Sequence, residues 1–134
     1  MTTNTTNDEI YESGEDYLEC ILRLQNRQGE VKSIDVANAM NYSKPSISRA
    51  MKILQEKGFI MMDKKKFIHL TDDGLKKAQE VYKRHLLIKE ALISLLDVSP
   101  ETAEQDACRI EHIVSKETID KLSAKMEAHL MAEE

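Results

Sequence analysis

Glycine and proline are scarce, with four Gly and two Pro in 134 residues. That scarcity excludes a collagen-like or loop-rich fold. Four scattered glycines also leave no glycine-rich loop to cradle the phosphates of a nucleotide. The two cysteines, Cys20 and Cys108, are too few for a disulfide framework; free thiols in a cytoplasmic protein are the expectation. No apolar run approaches the roughly 18 residues of a membrane span. The opening Met-Thr-Thr-Asn-Thr-Thr-Asn lacks the basic start and apolar stretch of a signal peptide, so no membrane association is expected. What is present is 41 % apolar and 32 % charged residues. Leu, Ile, Ala, Lys and Glu dominate, which favours helix in one domain, or in two small modules sharing a core.

The net charge of −5 is unevenly spread. Residues 32–66 hold eight basic residues (Lys32, Lys44, Arg49, Lys52, Lys57, Lys64, Lys65, Lys66) against Asp35, Glu56 and Asp63; this segment is +5 and the remainder −10. An acidic chain with one basic segment suits contact with an anion at one place, although a solvated fluctuation of charge would read the same.

Apolar spacing predicts a first helix from about Glu9 to Gln28, with Ile10, Tyr17, Leu18, Ile21, Leu22 and Leu24 on one face. Gly14 weakens its start, and Ser13-x-x-Asp16 resembles a capping box. Ser33 is read as the cap of a short helix over 34–40. After the Asn41-Tyr42 turn, Ser43 caps a second helix whose first turn holds Pro45. Ile47, Ala50, Met51 and Leu54 form its inner stripe, and Lys57-Gly58 closes it. Two apolar runs, 59–62 and 67–70, flank Asp63-Lys64-Lys65-Lys66 and read as a β-hairpin with a basic tip. A long helix follows Thr71-Asp72-Asp73-Gly74 to about residue 96, with Leu75, Ala78, Tyr82, Leu86, Leu92, Ile93 and Leu96 on its apolar side. Ser99-Pro100 starts another helix to about Val114, and Ser115 caps the last, to about Leu130.

Residues 33–57 therefore read as helix-turn-helix. A recognition helix must enter a major groove roughly 12 Å wide, so its outer face has to be small, polar or basic. Lys44, Ser46, Ser48, Arg49 and Lys52 meet that need. Ser43 and Ser46, with N–H groups at the helix start, suit a phosphate oxygen. Arg49 is the best partner for a guanine edge. With the hairpin, the pattern is a winged helix-turn-helix in which Lys64, Lys65 and Lys66 contact the backbone or minor groove. Without DNA binding, the same segment is a helical hairpin with a solvated face.

Cys108-Arg109-Ile110-Glu111-His112 carries the sharpest chemistry. On a helix, positions i, i+3 and i+4 share a face, so thiolate, carboxylate and imidazole converge. Such a donor set suits Fe(II), Zn(II) or Co(II) through the thiolate, and its carboxylate and imidazole also tolerate Mn(II). Asp16 and Glu19 share a face of the first helix. His85 lies on the apolar side of the long helix and needs partners for both nitrogens. Taken singly, each residue has an ordinary reading: a hydrogen-bonded core histidine, an exposed acidic face, a small buried thiol. Cys20 reads as core packing, His69 and His129 as surface residues.

The order of these features resembles the DtxR/MntR family of metal-dependent transcriptional repressors. Asp16-Tyr17-Leu18-x-x-Ile21, Ser46-Ile47-Ser48, Leu70-Thr71-x-x-Gly74, Arg84-His85-x-Leu87 and Cys108-Arg109-x-Glu111-His112 carry the resemblance. It implies a mainly α chain with two parts: a winged helix-turn-helix DNA-binding domain over 1–73, and a helical metal-binding and dimerisation domain over 74–134. It further implies that Asp16, Glu19, His85, Cys108, Glu111 and His112 are ligand positions for Mn(II) or Fe(II). Asp16 and Glu19 resemble the manganese-sensing branch and Cys108 the iron-sensing branch. The iron branch has a second site whose further Glu and His correspond here to Lys89 and Glu104; Lys89, a cation, does not suit ligation. The expected architecture is the short, two-domain one without the SH3-like domain of the iron branch. The expected partners are palindromic double-stranded operator DNA, with half-sites about one helical turn apart, and a second copy of the chain. No organic substrate is expected.

Three other readings stay open at this level. One is a metal-independent winged-helix regulator. Another is a helical interaction protein. The third, a small metal hydrolase, lacks a visible general base and substrate pocket beyond the ligands themselves, so the expectation is that the chain is not an enzyme.

Overall fold

Local sequence signals account for most element boundaries in the computed structural model, which describes residues 12–132. Among these the order is α1 (Glu12–Gln28), α2 (Ser33–Met40), α3 (Lys44–Glu56), β1 (Ile60–Met62), β2 (Ile68–Leu70), α4 (Asp72–Leu96), α5 (Pro100–Ile110) and α6 (Lys116–Ala132). The expected helical turn at Glu9 and Ile10 and the Ser13 side chain of the expected capping box lie outside the described residues. The chain divides into two compact units within α4, between Gln79 and Glu80. In the first unit α1, α2 and α3 pack on one another, and α1 and α3 pack on the hairpin.

The first unit is built on apolar side chains from every element. Leu18 and Ile21 of α1, Val36 of α2, Ile47, Met51 and Leu54 of α3, and Ile60 and Ile68 of the hairpin are all buried. Each such side chain contributes about 1.5–3 kcal/mol relative to exposure. Lys32, rather than Ser33, is the cap residue of α2. The Asp35 carboxylate accepts the Lys32 N–H at 2.8 Å, which draws Ser33 into the first turn. Asn41 closes α2 in the left-handed conformation at φ 58°. Ser43 caps α3 as expected, its Oγ accepting the Ser46 N–H at 3.3 Å, with Pro45 in the first turn. Ala50 is half-buried rather than part of the core stripe.

The hairpin is antiparallel, pairing Ile60 with Leu70, Met61 with His69 and Met62 with Ile68. Thr71 ties it to α4: its Oγ1 donates to the Gly58 carbonyl at 2.6 Å and accepts the Gly74 N–H at 3.0 Å. Gly74 is required there. A Cβ on it would stand 1.9 Å from the Phe59 carbonyl oxygen, so no side chain fits unless the turn moves.

In the second unit Val81, Ile88 and Ala91 of α4, Ala103 and Ala107 of α5 and Met126 of α6 are buried. The inward face of α4 differs in part from the expected one: Leu75, Leu86 and Leu96 are exposed by 38 %, 48 % and 67 %. His85 is 0 % exposed, on the inward side as expected, in the one-turn spacing of Val81, His85 and Ile88. Helix α5 starts at Pro100 behind the Ser99 cap but ends at Ile110, short of the expected Val114. The N–H groups of Ile113 and Val114 both turn back to the Ile110 carbonyl at 3.1 Å. The Glu111 carbonyl leaves the helical pattern and accepts from Arg84 Nε at 2.9 Å. Ser115 then caps α6, accepting the Thr118 N–H at 3.1 Å.

Candidate functional site

The outer face of α3 is polar and basic. Ser43, Lys44, Pro45, Ser48, Arg49 and Lys52 are exposed, and Ser46 is half-buried. Ser43 also donates to the Ser46 Oγ at 2.9 Å. The Ser46 N–H is thus occupied by its own cap, and a phosphate at this end would meet hydroxyls more than that N–H. Beside α3 runs an open groove of about 410 Å³ whose polar walls include Lys32, Ser48, Lys52, Gln55 and Lys66. It has three lysines and no carboxylate in its lining. Lys32 and Gln55 were not singled out in the sequence; the basic balance of 32–66 was the available signal for Lys32, whose ammonium sits 5.0 Å above the Phe67 ring.

Asp63 shapes the wing tip. Its Oδ1 accepts the N–H of Lys65 at 2.9 Å and of Phe67 at 3.0 Å, and its Oδ2 lies 2.8 Å from His69 Nε2. Lys66 takes a left-handed φ of 72° to complete the turn. The hydrogen bond from His69, then that from Phe67, holds the Asp63 carboxyl below its ordinary 3.8. Lys64, Lys65 and Lys66 are exposed around it. His69 is a surface residue as expected, but it is paired with Asp63.

On α1, Asp16 is half-buried and Glu19 is 5 % exposed, one turn apart. Arg23 lies 3.5 Å from Glu19 at i+4. Cys20 is half-buried, and burial, the largest effect, pushes its thiol up to about 11. That leaves it an unreactive packing group, as expected.

The second unit gathers its polar groups around His85. The ring nitrogen Nδ1 lies 2.8 Å from Glu111 Oε1 and 3.8 Å from Cys108 Sγ. The other nitrogen, Nε2, lies 2.9 Å from Glu104 Oε1. Tyr82 stacks on the ring, with centroids 6.3 Å apart. Burial drives the imidazole toward its neutral form, but hydrogen bonds to Cys108, Glu111 and Glu104 outweigh it and push its pKa up to about 11. Burial likewise opposes ionisation of Glu104, yet His85 and Lys89 hold its pKa down, at about 2.

Cys108, Glu111 and His112 are brought together, though not on one continuous helix. Cys108 and Glu111 meet at His85 Nδ1, and His112 Nε2 lies 3.5 Å from Glu111 Oε2. Glu104, absent from the ligand positions read in the sequence, joins them: His85, Glu104 and Cys108 each place a donor atom within 4.8 Å of the others. Its i, i+4 relation to Cys108 was the signal. His129 is half-buried rather than exposed.

These residues fit a divalent transition metal. Glu111 Oε2 is buried and makes no hydrogen bond among the described residues, with His112 Nε2 3.5 Å away. A buried carboxylate oxygen without a hydrogen bond is costly unless a cation meets it. The neighbouring His112 imidazole, His85 and the Cys108 thiol supply donors of the types that bind first-row metals.

The iron-dependent repressor N-terminal DNA-binding domain matches residues 9–68, and the iron-dependent repressor metal-binding and dimerisation domain matches residues 71–130. Over 115 residues the chain is 38 % identical to the transcriptional regulator MntR of Salmonella typhimurium, covering 86 % of this chain and 73 % of that one. The chain belongs to the DtxR/MntR family of metal-dependent transcriptional regulators. Among solved structures, it superposes on the metal-dependent transcriptional regulator MtsR with a TM-score of 0.79 at 32 % identity, over 85 % of this chain and 53 % of that one. A manganese-dependent transcriptional repressor in complex with manganese gives 0.78 at 27 % identity, over 85 % and 52 %. The chain spans about half the length of these regulators of known structure. No helix among the described residues is long and apolar enough to cross a membrane.

Proposed function

We propose that this member of the DtxR/MntR family is a cytoplasmic, non-enzymatic repressor of metal-homeostasis genes, which binds a palindromic operator as a homodimer when loaded with Mn(II) or Fe(II). The observation that carries this reading is the buried His85, met on one nitrogen by Glu111 and Cys108 and on the other by Glu104. We assign residues 1–73 to DNA binding and 74–134 to metal binding and dimerisation. His85, Cys108, Glu111 and His112, with Asp16 and Glu19 from α1, are the proposed ligands. A bound divalent ion supplies positive charge to a carboxylate-rich donor set.

The chain's own residues do the rest. Arg84 holds the Glu111 carbonyl at 2.9 Å, which fixes the turn that presents Glu111 and His112. Glu104 holds His85 by Nε2 and leaves Nδ1 toward Cys108 and Glu111. Because the ligands are drawn from α1 as well as from 85–112, occupancy favours whichever arrangement of the DNA-binding domains holds all of them. The shift extends only as far as the ion's differential affinity for that arrangement. On the DNA, Arg49 reads a base edge. Ser43, Lys44, Pro45, Ser46, Ser48 and Lys52 line the recognition helix, and Lys64, Lys65 and Lys66 engage the backbone.

Fluorescence anisotropy with labelled DNA from upstream of the chain's own gene and of metal-transport genes tests this. Under anaerobic conditions, tight binding with Mn(II) or Fe(II) and its loss with chelator are expected. Equal binding with and without chelator would remove the metal switch.

A further inference from the structure

Glu104 Oε1 has two nitrogen neighbours, His85 Nε2 at 2.9 Å and Lys89 Nζ at 3.0 Å. Lys89 and Glu104 are each one-third exposed, whereas His85 is enclosed, its side chain 1 % exposed. The ring thus has two chemically different sides. Nδ1 faces Glu111 and Cys108; Nε2 faces the Glu104–Lys89 ion pair. A carboxylate on one nitrogen of a histidine keeps the proton there and directs the other nitrogen to a metal. Glu104 also belongs to a second donor group. His85, Glu104 and Cys108 offer imidazole, carboxylate and thiol donors within 4.8 Å of one another, with Cys108 Sγ 3.8 Å from Nδ1 and 4.0 Å from Glu104 Oε2. The ammonium on the carboxylate of that trio opposes a second cation there, because it already holds the carboxylate and like charges repel.

We propose that Lys89 is the resident cation of this second side: it takes the place of a metal ion on Glu104, limits the cluster to one ion per subunit and keeps Nδ1 as the ligating nitrogen of His85. The inference rests on the metal-binding reading above and deepens it. Lys89 is accordingly a residue that sets stoichiometry and positions His85 through Glu104; it does not ligate.

The test counts ions. The full chain and its variants are dialysed anaerobically against buffered Co(II), and metal per subunit is measured by elemental analysis, with circular dichroism to check the fold. Wild type and Lys89→Arg are expected to hold the same number of ions. Lys89→Glu, which swaps the ammonium for a ligand, gains one ion per subunit. Lys89→Gln gains it only at higher free Co(II). Adding Glu104→Ala to Lys89→Glu removes the gain. Two ions in wild type, or no gain in either Lys89→Glu or Lys89→Gln, would overturn the proposal. A wild-type chain holding none, with a gain of one in Lys89→Glu, would overturn the assignment of the Glu111–His112 group as the ligand set and leave the role of Lys89 standing.

Discussion

His85 Nδ1 and Glu111 Oε1 lie 2.8 Å apart, with side chains 1 % and 0 % exposed. Removing one member of a buried pair costs about 3–5 kcal/mol where the other is left with no partner. His85 keeps Glu104 on Nε2, so Glu111→Ala is expected to destabilise the metal-free chain by less than that, read from urea denaturation in chelator. Replacing both, as His85→Leu with Glu111→Leu, removes both buried polar groups and should cost far less than the sum of the single changes. Additive costs would show that the two residues act independently.

Cys108 touches the imidazole at 3.8 Å and supplies the soft donor of the group. Thiolate favours Fe(II), Zn(II) and Co(II), whereas a carboxylate favours harder ions. Cys108→Glu is expected to lower affinity for Zn(II) and Co(II) relative to Mn(II) by at least about tenfold, equivalent to about 1.4 kcal/mol. Competition titrations against a chelator of known affinity measure the ratio. An unchanged ratio would mean that the sulfur does not reach the ion.

The Phe59 carbonyl oxygen occupies the space a Cβ on Gly74 would need. Forcing atoms into a filled site costs typically about 1–3 kcal/mol. Because the obstacle is backbone, Gly74→Ala should fall at the upper end, as a drop in the thermal midpoint of the wing and α4 followed by circular dichroism. A neutral result would show that the turn at 71–74 shifts freely.

Short-range chemistry made much of this fold legible. Ser43 with Pro45, Ser99 with Pro100, and Thr71 with Gly74 mark helix starts because caps and first-turn prolines act over three or four residues. The end of α5 was not legible. It depends on Arg84, which lies 27 positions before Glu111 in the chain and takes its carbonyl. The inward face of α4 was misread at Leu75, Leu86 and Leu96, which are apolar yet exposed. His85 was legible on the apolar side, but spacing along one helix could not name Glu104 and Glu111 as the carboxylates its two nitrogens find. The chemistry of Cys108, Glu111 and His112 was readable from spacing, but the meeting of Cys108 and Glu111 at His85 Nδ1, with His112 against Glu111 Oε2, needed the turn after Ile110.

The roles proposed for Arg49 and for Lys64, Lys65 and Lys66 predict two different changes in DNA binding. Bidentate hydrogen bonding from Arg49 to a guanine edge would contribute about 1–3 kcal/mol of discrimination. Arg49→Ala should therefore relax the preference for operator over mutated operator by about that amount. Wing lysines on phosphates strengthen binding to all sequences alike. Replacing all three by alanine should leave the operator preference intact and flatten the salt dependence by about 0.9 in log–log slope for each phosphate no longer neutralised. Anisotropy across a salt series on both DNAs distinguishes the two. A reduced preference without a change in slope for the lysine variant would reverse the roles.

Asp63 makes the wing sensitive to acid. His69 lies 2.8 Å from one carboxylate oxygen, and the N–H groups of Lys65 and Phe67 donate to the other. These bonds favour the ionised form and hold the folded pKa below 3.8. A depressed carboxyl pKa means that the ordering contribution is complete above the unfolded value and disappears as pH falls through the folded one. The wing is therefore expected to keep its turn at neutral pH and to lose it only in strong acid. Carboxyl-carbon NMR should find Asp63 titrating below the usual aspartate range, and His69→Ala should move that midpoint upward because the strongest of the lowering hydrogen bonds is gone. Asp63→Asn, which cannot carry the charge, should broaden the amide signals of Lys65 and Phe67 at neutral pH. An Asp63 midpoint unmoved by His69→Ala would show that the two backbone N–H groups hold the carboxylate by themselves.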